Sequence, residues 1–204
     1  MMELGPVTLS GKHIRLEPLS RHYARGLLTV AQASEIWTWM SALPVTPESM
    51  EAWIAEALEA QERGLEYPFV VVHLAGDRVV GSTRYLDVQA ANKGVEIGWT
   101  WYAPETWGTV VNPEAKFLLL RHAFEEWGAI RVQLKTDLKN LRSQAAIKKL
   151  GAKQEGILRR HRFRRDGTIR DSVIFSIIPE EWPRVKAALE ERIGRAPDLL
   201  VQST

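Results

Sequence analysis

The run from Glu96 to Gly151 constrains this chain most, because it joins a strand, a glycine-interrupted turn, a helix, a second strand and an Asn-x-x-Ser helix start. Its lead-in, Gly94-Val95-Glu96-Ile97-Gly98-Trp99-Thr100-Trp101, is rich in the β-branched and aromatic residues that suit a pleated strand. It breaks at Ala103-Pro104-Glu105-Thr106-Trp107-Gly108-Thr109. Thr109 or Asn112 is placed to cap the helix that follows. Pro113 fits its first turn, Glu114 suits its positive end, and Phe117, Leu120, Phe124 and Trp127 recur at helical spacing up to a stop near Gly128. A strand that runs into a helix N-terminus leaves unpaired backbone N–H groups in the favourable field of the helix dipole. That is an anion site, and a nearby glycine lets the backbone approach a phosphate.

After Gly128, Ala129-Ile130-Arg131-Val132-Gln133-Leu134-Lys135-Thr136 alternates as a half-buried strand does. Asn140 then reads as an N-cap, Ser143, Ala146, Ile147 and Leu150 share one helix face, and Gly151 supplies a left-handed stop. Ser143 points inward from the first turn beside the end of the preceding strand. Its hydroxyl is suited to bond a ligand lying between the two strands.

Elsewhere the pattern predicts a strand from Val7 to Pro18, helices over Ser20 to Gln32 and Pro47 to Arg63, and a hairpin of Tyr67 to Leu74 with Arg78 to Val88 turning at Ala75-Gly76-Asp77. A covering helix is predicted from Pro179 to Ile193, ending near 194. The order of elements implies a mixed α/β (α+β) fold: a mostly antiparallel sheet of about seven strands flanked by helices. The segment Arg159-Arg160-His161-Arg162-Phe163-Arg164-Arg165 runs into the Asp166-Gly167 turn signal and resumes as a strand from Thr168 to Phe175. These arginines read either as solvated charges blunting a sheet edge or as contacts for an acidic acceptor or a nucleotide.

With 204 residues, 45% of them hydrophobic, and no repeat or linker, the whole of 1–204 reads as one domain with a sizeable core. Cysteine is absent, which excludes disulfides, thiolate metal sites and a covalent cysteine intermediate. The histidines show no metal spacing, so no metal is expected. A net charge of +2 does not advertise nucleic acid as a partner. Met1 to Pro6 lacks both a basic leader and an apolar core, and no apolar run approaches the roughly 20 residues of a membrane span. A soluble cytoplasmic protein is expected, and a homodimer is left open.

Several segments together resemble the RimJ/RimL-type branch of the GNAT N-acetyltransferases. They are Glu96-Ile97-Gly98, then Trp107-Gly108-Thr109 opening a helix, Lys139-Asn140-Leu141-Arg142-Ser143 through Lys149-Leu150-Gly151-Ala152, Glu155-Gly156-Ile157-Leu158-Arg159, and Arg170-Asp171-Ser172. Ile14 to Leu19, Trp37-x-Trp39 and Val79 to Thr83 add weaker support, and the likeness covers most of the chain. It implies a sheet whose two central strands, beginning near Gly94 and Ala129, splay apart to admit the pantetheine arm of acetyl-coenzyme A. The implied activity is direct acetyl transfer to a primary amine, of a protein N-terminus or a small molecule, in a ternary complex without metal. The alternative is a GNAT-fold protein that binds coenzyme A or another ligand with little turnover. Two departures from the family pattern keep that alternative open. The pyrophosphate loop holds Glu105, Gly108 and Val110 where the family has Gln or Arg, Gly, and Gly or Ala, and Ile147 stands where many members carry a tyrosine acid.

The resemblance assigns cofactor contacts to Trp101, Tyr102, Trp107, Gly108, Thr109, Val110, Val111, Asn112, Asn140 and Ser143. It makes Glu96 the leading base, acting through water, although an acid there serves equally to hold a neighbouring strand or to bind the acceptor's ammonium group. Ser143 is the candidate donor to the departing sulfur, in competition with a capping role. Tyr102 is a weaker substitute for the missing tyrosine acid. Trp37 and Trp101 are the expected acceptor contacts, with core filling the competing role of every tryptophan here.

Overall fold

The computed structural model describes residues 5–196. The strand predicted from Val7 to Pro18 forms two elements, β1 (Leu9–Ser10) and β2 (Ile14–Pro18), paired as a short hairpin. Its turn is clamped from far along the chain. Glu114, on helix α3 (Val111–Arg121), accepts the backbone N–H of Lys12, of His13 at 2.9 Å and of Ile14 at 3.1 Å. A Cβ on Gly11 would stand 2.5 Å from the same carboxylate, so the turn requires glycine. Charge-assisted bonds to a carboxylate only 2% exposed fix the break in the strand. Glu114, read from the sequence as a complement to the helix dipole, is a tertiary clamp as well.

The remaining strands are β3 (Tyr67–His73), β4 (Arg78–Gln89), β5 (Gly94–Tyr102), β6 (Arg131–Asp137), β7 (Lys153–Phe163) and β8 (Ile169–Ile177). They complete an eight-stranded sheet in the order β1-β2-β3-β4-β5-β6-β8-β7, one strand more than expected. The β5–β6 pair is parallel because α3 crosses between them, and the other pairs are antiparallel. Helices α1 (Ala24–Val30) and α2 (Pro47–Glu62) cover one face; α3, α4 (Leu141–Leu150) and α5 (Trp182–Gly194) cover the other.

Alternation along β3 separates the two cores. Val70 and Val72 pack under α1 and α2, whereas Phe69 and Val71 join the larger core with α3 and α5. The Thr46–Ser49 capping box starts α2. Helix α3 passes into a π turn at His122–Glu126 before Gly128 (φ 60°) ends it. In the predicted covering helix the regular part begins at Trp182, whose indole stacks on Phe124 at 5.6 Å. No described helix is long and apolar enough to cross a membrane.

Candidate active site

Strands β5 and β6 pair only from Gly94↔Arg131 to Ile97↔Leu134 and then diverge. On the side facing β6, the backbone from Gly98 to Tyr102 therefore has no strand partner among the described residues, an open edge within the sheet. A bulge marks the fork. Gly98 pairs with Arg84 and Trp101 with Ser82, so β5 spends three steps where β4 spends two, and Trp99 takes φ 48°. A bulky residue in that region stores strain of order 1–3 kcal/mol, the kind of feature that clusters at functional sites. The bulge also inverts the strand's alternation. Val95 and Ile97 face α3, whereas Trp101 packs on the α2 side against Trp37 at 5.1 Å and Trp53 at 6.1 Å.

A cavity of about 380 Å³ runs through the fork. On the α3 side Gly108, Asn112 and Lys116 line it; on the opposite side Trp39, Met40 and Ser41, from the segment between α1 and α2, do so. Glu96, Ser143 and Asn140 line it between strands and α4.

At the α3 end, Gly108 has φ 78° with nothing within 4 Å of where a Cβ would stand, so backbone conformation and not space selects glycine. The helix N-cap is Val110, not Thr109 or Asn112, and no side chain caps it. Val110 sits at φ −71°, ψ −18°, an ordinary helical conformation that a valine takes without strain. Thr109 Oγ1 instead donates to the Thr106 carbonyl at 2.6 Å and accepts the Val111 N–H at 3.3 Å. The N–H groups of Gly108, Val110 and Asn112 find no acceptor among the described residues. Arg142 adds positive charge beside them, its guanidinium 4.1 Å over the Trp107 ring. Glu105 is drawn off by Arg78 at 3.7 Å and does not line the cavity.

Glu96 is 4% exposed and sits at the last paired rungs before the fork. Its Oε2 accepts hydrogen bonds from Gln133 Nε2 and Lys135 Nζ, both 2.8 Å, while Oε1 accepts none among the described residues. Asn140 caps α4 by accepting the Ser143 N–H at 3.0 Å. The Ser143 hydroxyl is thereby spared from capping, and it makes no hydrogen bond among the described residues. Trp101, 3% exposed, lines the cavity, and its indole N–H has no acceptor among the described residues.

Not every sequence-predicted residue reaches the cavity. Trp37 is fully buried and donates its indole N–H to the Ala31 carbonyl at 2.7 Å, which makes it core; the neighbouring Ile36 and Trp39 line the cavity instead. Thr109, Val110 and Val111 do not line it either, since both valines are buried in the larger core. Tyr102 lines it, but burial raises its phenol far above the ordinary value and leaves it a poor proton donor.

Sequence reasoning missed Arg142, Lys135 and Lys116. Lys116 had a signal: it lies four residues after Asn112, on the inward stripe of α3. Its ammonium donates to Thr100 Oγ1 at 2.8 Å, and Thr100 in turn bonds Thr83 Oγ1 at 2.8 Å. Burial lowers its pKa from 10.5 to about 7. The unfolded chain therefore binds the extra proton between those values, and Lys116 weighs against stability most below about pH 7. Lys116→Met is expected to melt above the parent near neutral pH, with the gap closing as pH rises from about 7 toward 10.5. Melting curves across that range check it, and a constant gap would mean that the ammonium is not desolvated.

Among the described residues no group of three or more His, Asp or Glu side chains could hold a metal ion. The family model for the acetyltransferase (GNAT) domain matches residues 13–153. A candidate acetyltransferase from T. thermophilus is 39% identical, with 94% of this chain and 100% of that one covered and a TM-score of 0.84. A GCN5-related N-acetyltransferase from Brucella melitensis is 27% identical over 93% and 86% of the two chains, with a TM-score of 0.87. Mycobacterium smegmatis RimJ, solved in complex with CoA-disulfide, shares the fold at 22% identity, 94% coverage of each chain and a TM-score of 0.77. No curated protein matches. The family match spans more than half of the chain and coincides with the forked sheet and its cavity, so the chain belongs to the GNAT acetyltransferase family.

Proposed function

We propose that this GNAT protein is an acetyl-coenzyme-A-dependent N-acetyltransferase of the RimJ/RimL-type branch. In this reading it is one cytoplasmic catalytic domain that moves acetyl directly to a primary amine, of a protein N-terminus or a small molecule, in a ternary complex. One observation carries the reading: a continuous cavity joins Gly108 and Asn112, whose N–H groups are acceptor-free among the described residues, to Glu96 and Ser143. The likeness in fold to RimJ supports the choice of branch.

GNAT acetyltransferases use acetyl-coenzyme A as donor, and the residues present fit it. The N–H groups of Gly108, Val110 and Asn112, with Arg142, are donors for a pyrophosphate, and the open edge of β5 offers backbone partners to the amides of an extended arm. When bound, the donor supplies a thioester carbonyl open to attack by a neutral amine. Glu96 Oε1 takes the amine's proton through water while Gln133 and Lys135 hold Oε2 in place. The Ser143 hydroxyl donates to the departing sulfur, and the Asn140 side-chain amide remains available to the arm. The binding-only alternative is not favoured, because Val110 is helical without strain and Glu105 is paired with Arg78, and in this reading Ser143 serves the departing sulfur where Ile147 replaces the family's tyrosine.

Calorimetric titration with acetyl-coenzyme A, followed by thiol release over a panel of amines, tests the proposal. Micromolar-range binding without amine-dependent release would return the protein to the binding-only class. Within the same assays Ser143→Ala should lower turnover more than it lowers donor affinity. Equal losses in both would make Ser143 an anchor for the arm.

A further inference from the structure

The side of the cavity away from α3 carries two arginines whose terminal N–H groups are hydrogen-bonded to no acid among the described residues. Arg162, on β7, and Arg170, on β8, line it together with Glu96, Lys135 and Asp137. The acids there are already engaged: Glu96 by Lys135 at 2.8 Å, and Asp137 by the Nε and terminal nitrogen of Arg164 at 2.7 and 3.0 Å. Arg170 donates its Nε to Ser172 Oγ at 2.9 Å and stands 3.9 Å from Asp137, leaving its terminal N–H groups without a hydrogen-bond partner among the described residues. The Arg162 side chain has no hydrogen bond or ion pair among the described residues.

Local structure is arranged to put them there. Arg162 and Arg170 are direct cross-strand partners, a like-charge pairing that weakens a sheet unless an anion offsets it. Between Leu158↔Ser172 and Arg162↔Arg170, β7 spends four steps where β8 spends two, and Arg160 within this bulge takes φ 51°. The carboxylate of Asp171 holds the distortion by accepting the Arg160 N–H at 2.6 Å. Beyond it, His161 Nδ1 meets, at 3.0 Å, the same Ser172 hydroxyl that receives Arg170. Bulges occur beside active sites, and this one, with two extra residues, preserves the strand's alternation and sets Arg162 opposite Arg170 at the cavity. Blunting of an edge strand accounts for the exposed Arg159 and Arg165 of β7 and its turn, and Arg162, exposed on the same strand, differs from them in lining the cavity. It does not account for Arg170, which lies on the inner strand β8 with its side chain 18% exposed.

We infer that the acceptor is an amine whose own molecule carries a carboxylate a few bonds from the reacting nitrogen, held by Arg162 and Arg170 while the amine faces Glu96. This rests on the acetyltransfer reading above. Two planar guanidinium groups suit a carboxylate, which accepts paired N–H bonds. The donor arm shares the cavity of about 380 Å³, so the bound part of the acceptor is the size of an amino acid or of a peptide's first residues.

The test compares acceptors that differ in one carboxylate: a free amino acid against its carboxamide, with rates corrected for the neutral fraction of each α-amine, and C-amidated peptides with Asp or Asn at the second position. The two pairs distinguish an amino acid's own carboxylate from an acidic side chain near a peptide N-terminus. For the wild type, kcat/KM should favour the charged member of one pair by about 10-fold or more. In Arg162→Gln and Arg170→Gln that ratio should fall toward one, chiefly through KM, with Arg170→Lys retaining part of it. Arg159→Gln and Arg165→Gln, which remove the same charge from the exposed edge, should leave the ratio unchanged. Calorimetric binding of the same pairs to the coenzyme-A-saturated protein gives a second readout that needs no turnover. Arginine-dependent binding of the charged member supports the subsite even if no acceptor turns over, a result that would sink the acetyltransfer reading alone. Turnover of amines with no preference for the charged member, or a preference that survives both Gln variants, overturns the subsite alone.

Discussion

Gly108→Glu is expected to weaken acetyl-coenzyme A binding by more than about 100-fold, equivalent to roughly 3 kcal/mol. Two effects combine at this position. Any side chain must hold φ 78°, and Gly108→Ala isolates that strain, expected to cost about 1 kcal/mol or a few-fold in affinity. The glutamate adds a negative charge among the N–H groups of Gly108, Val110 and Asn112, where the donor's phosphates should lie. Residue 108 is exposed, so the variant should fold, and circular dichroism verifies it. A folded Gly108→Glu protein with parental affinity in calorimetry would mean that the phosphate site lies elsewhere.

Glu96→Gln should lower the rate by about 10² to 10⁴ near neutral pH, the range for general-base contributions. The loss should shrink as pH passes the acceptor's own pKa, because a neutral amine needs no base; recovery near pH 8 would point to an α-amine, and near pH 10 to a lysine-type amine. The substitution also removes the partner of Lys135, whose side chain is 14% exposed, and breaking a buried pair destabilises by up to about 3–5 kcal/mol. Rates therefore need comparison at temperatures where the variant is folded. The double variant Glu96→Gln, Lys135→Met separates the roles, since it should recover stability without recovering rate. A rate loss independent of pH, or a raised acceptor KM at unchanged turnover, would assign Glu96 to ammonium binding. Full activity in the folded double variant would reduce Glu96 to a strand-bridging ion pair.

Local signals read well in this chain. Periodicity gave every α-helix and all but one strand, and Asn140 and Gly151 were legible as the two ends of α4 because capping is decided by neighbouring backbone. What escaped depends on distant partners. The break at Gly11 is set by Glu114, reached only through the tertiary fold. Trp37 looked like an acceptor wall, but its indole N–H is satisfied inside the core. The bulges at Trp99 and Arg160 place non-glycine residues at positive φ, where no propensity predicts them, and the one at Trp99 reverses which side chains of β5 face which core. Glu96 could be picked out in advance through the family resemblance, and Ser143 through its helix face as well, whereas the convergence of Lys135, Arg162 and Arg170 on the same cavity depends on the tertiary fold and could not.

The most direct test of acetyl transfer through the fork is a single-turnover experiment. Protein in excess is charged with acetyl-labelled coenzyme A, mixed with an amine, and analysed by mass spectrometry. The account predicts the label on the amine nitrogen in equal amount to the thiol released, at a rate that rises with amine concentration. Label recovered as free acetate, or thiol release indifferent to the amine, would contradict it.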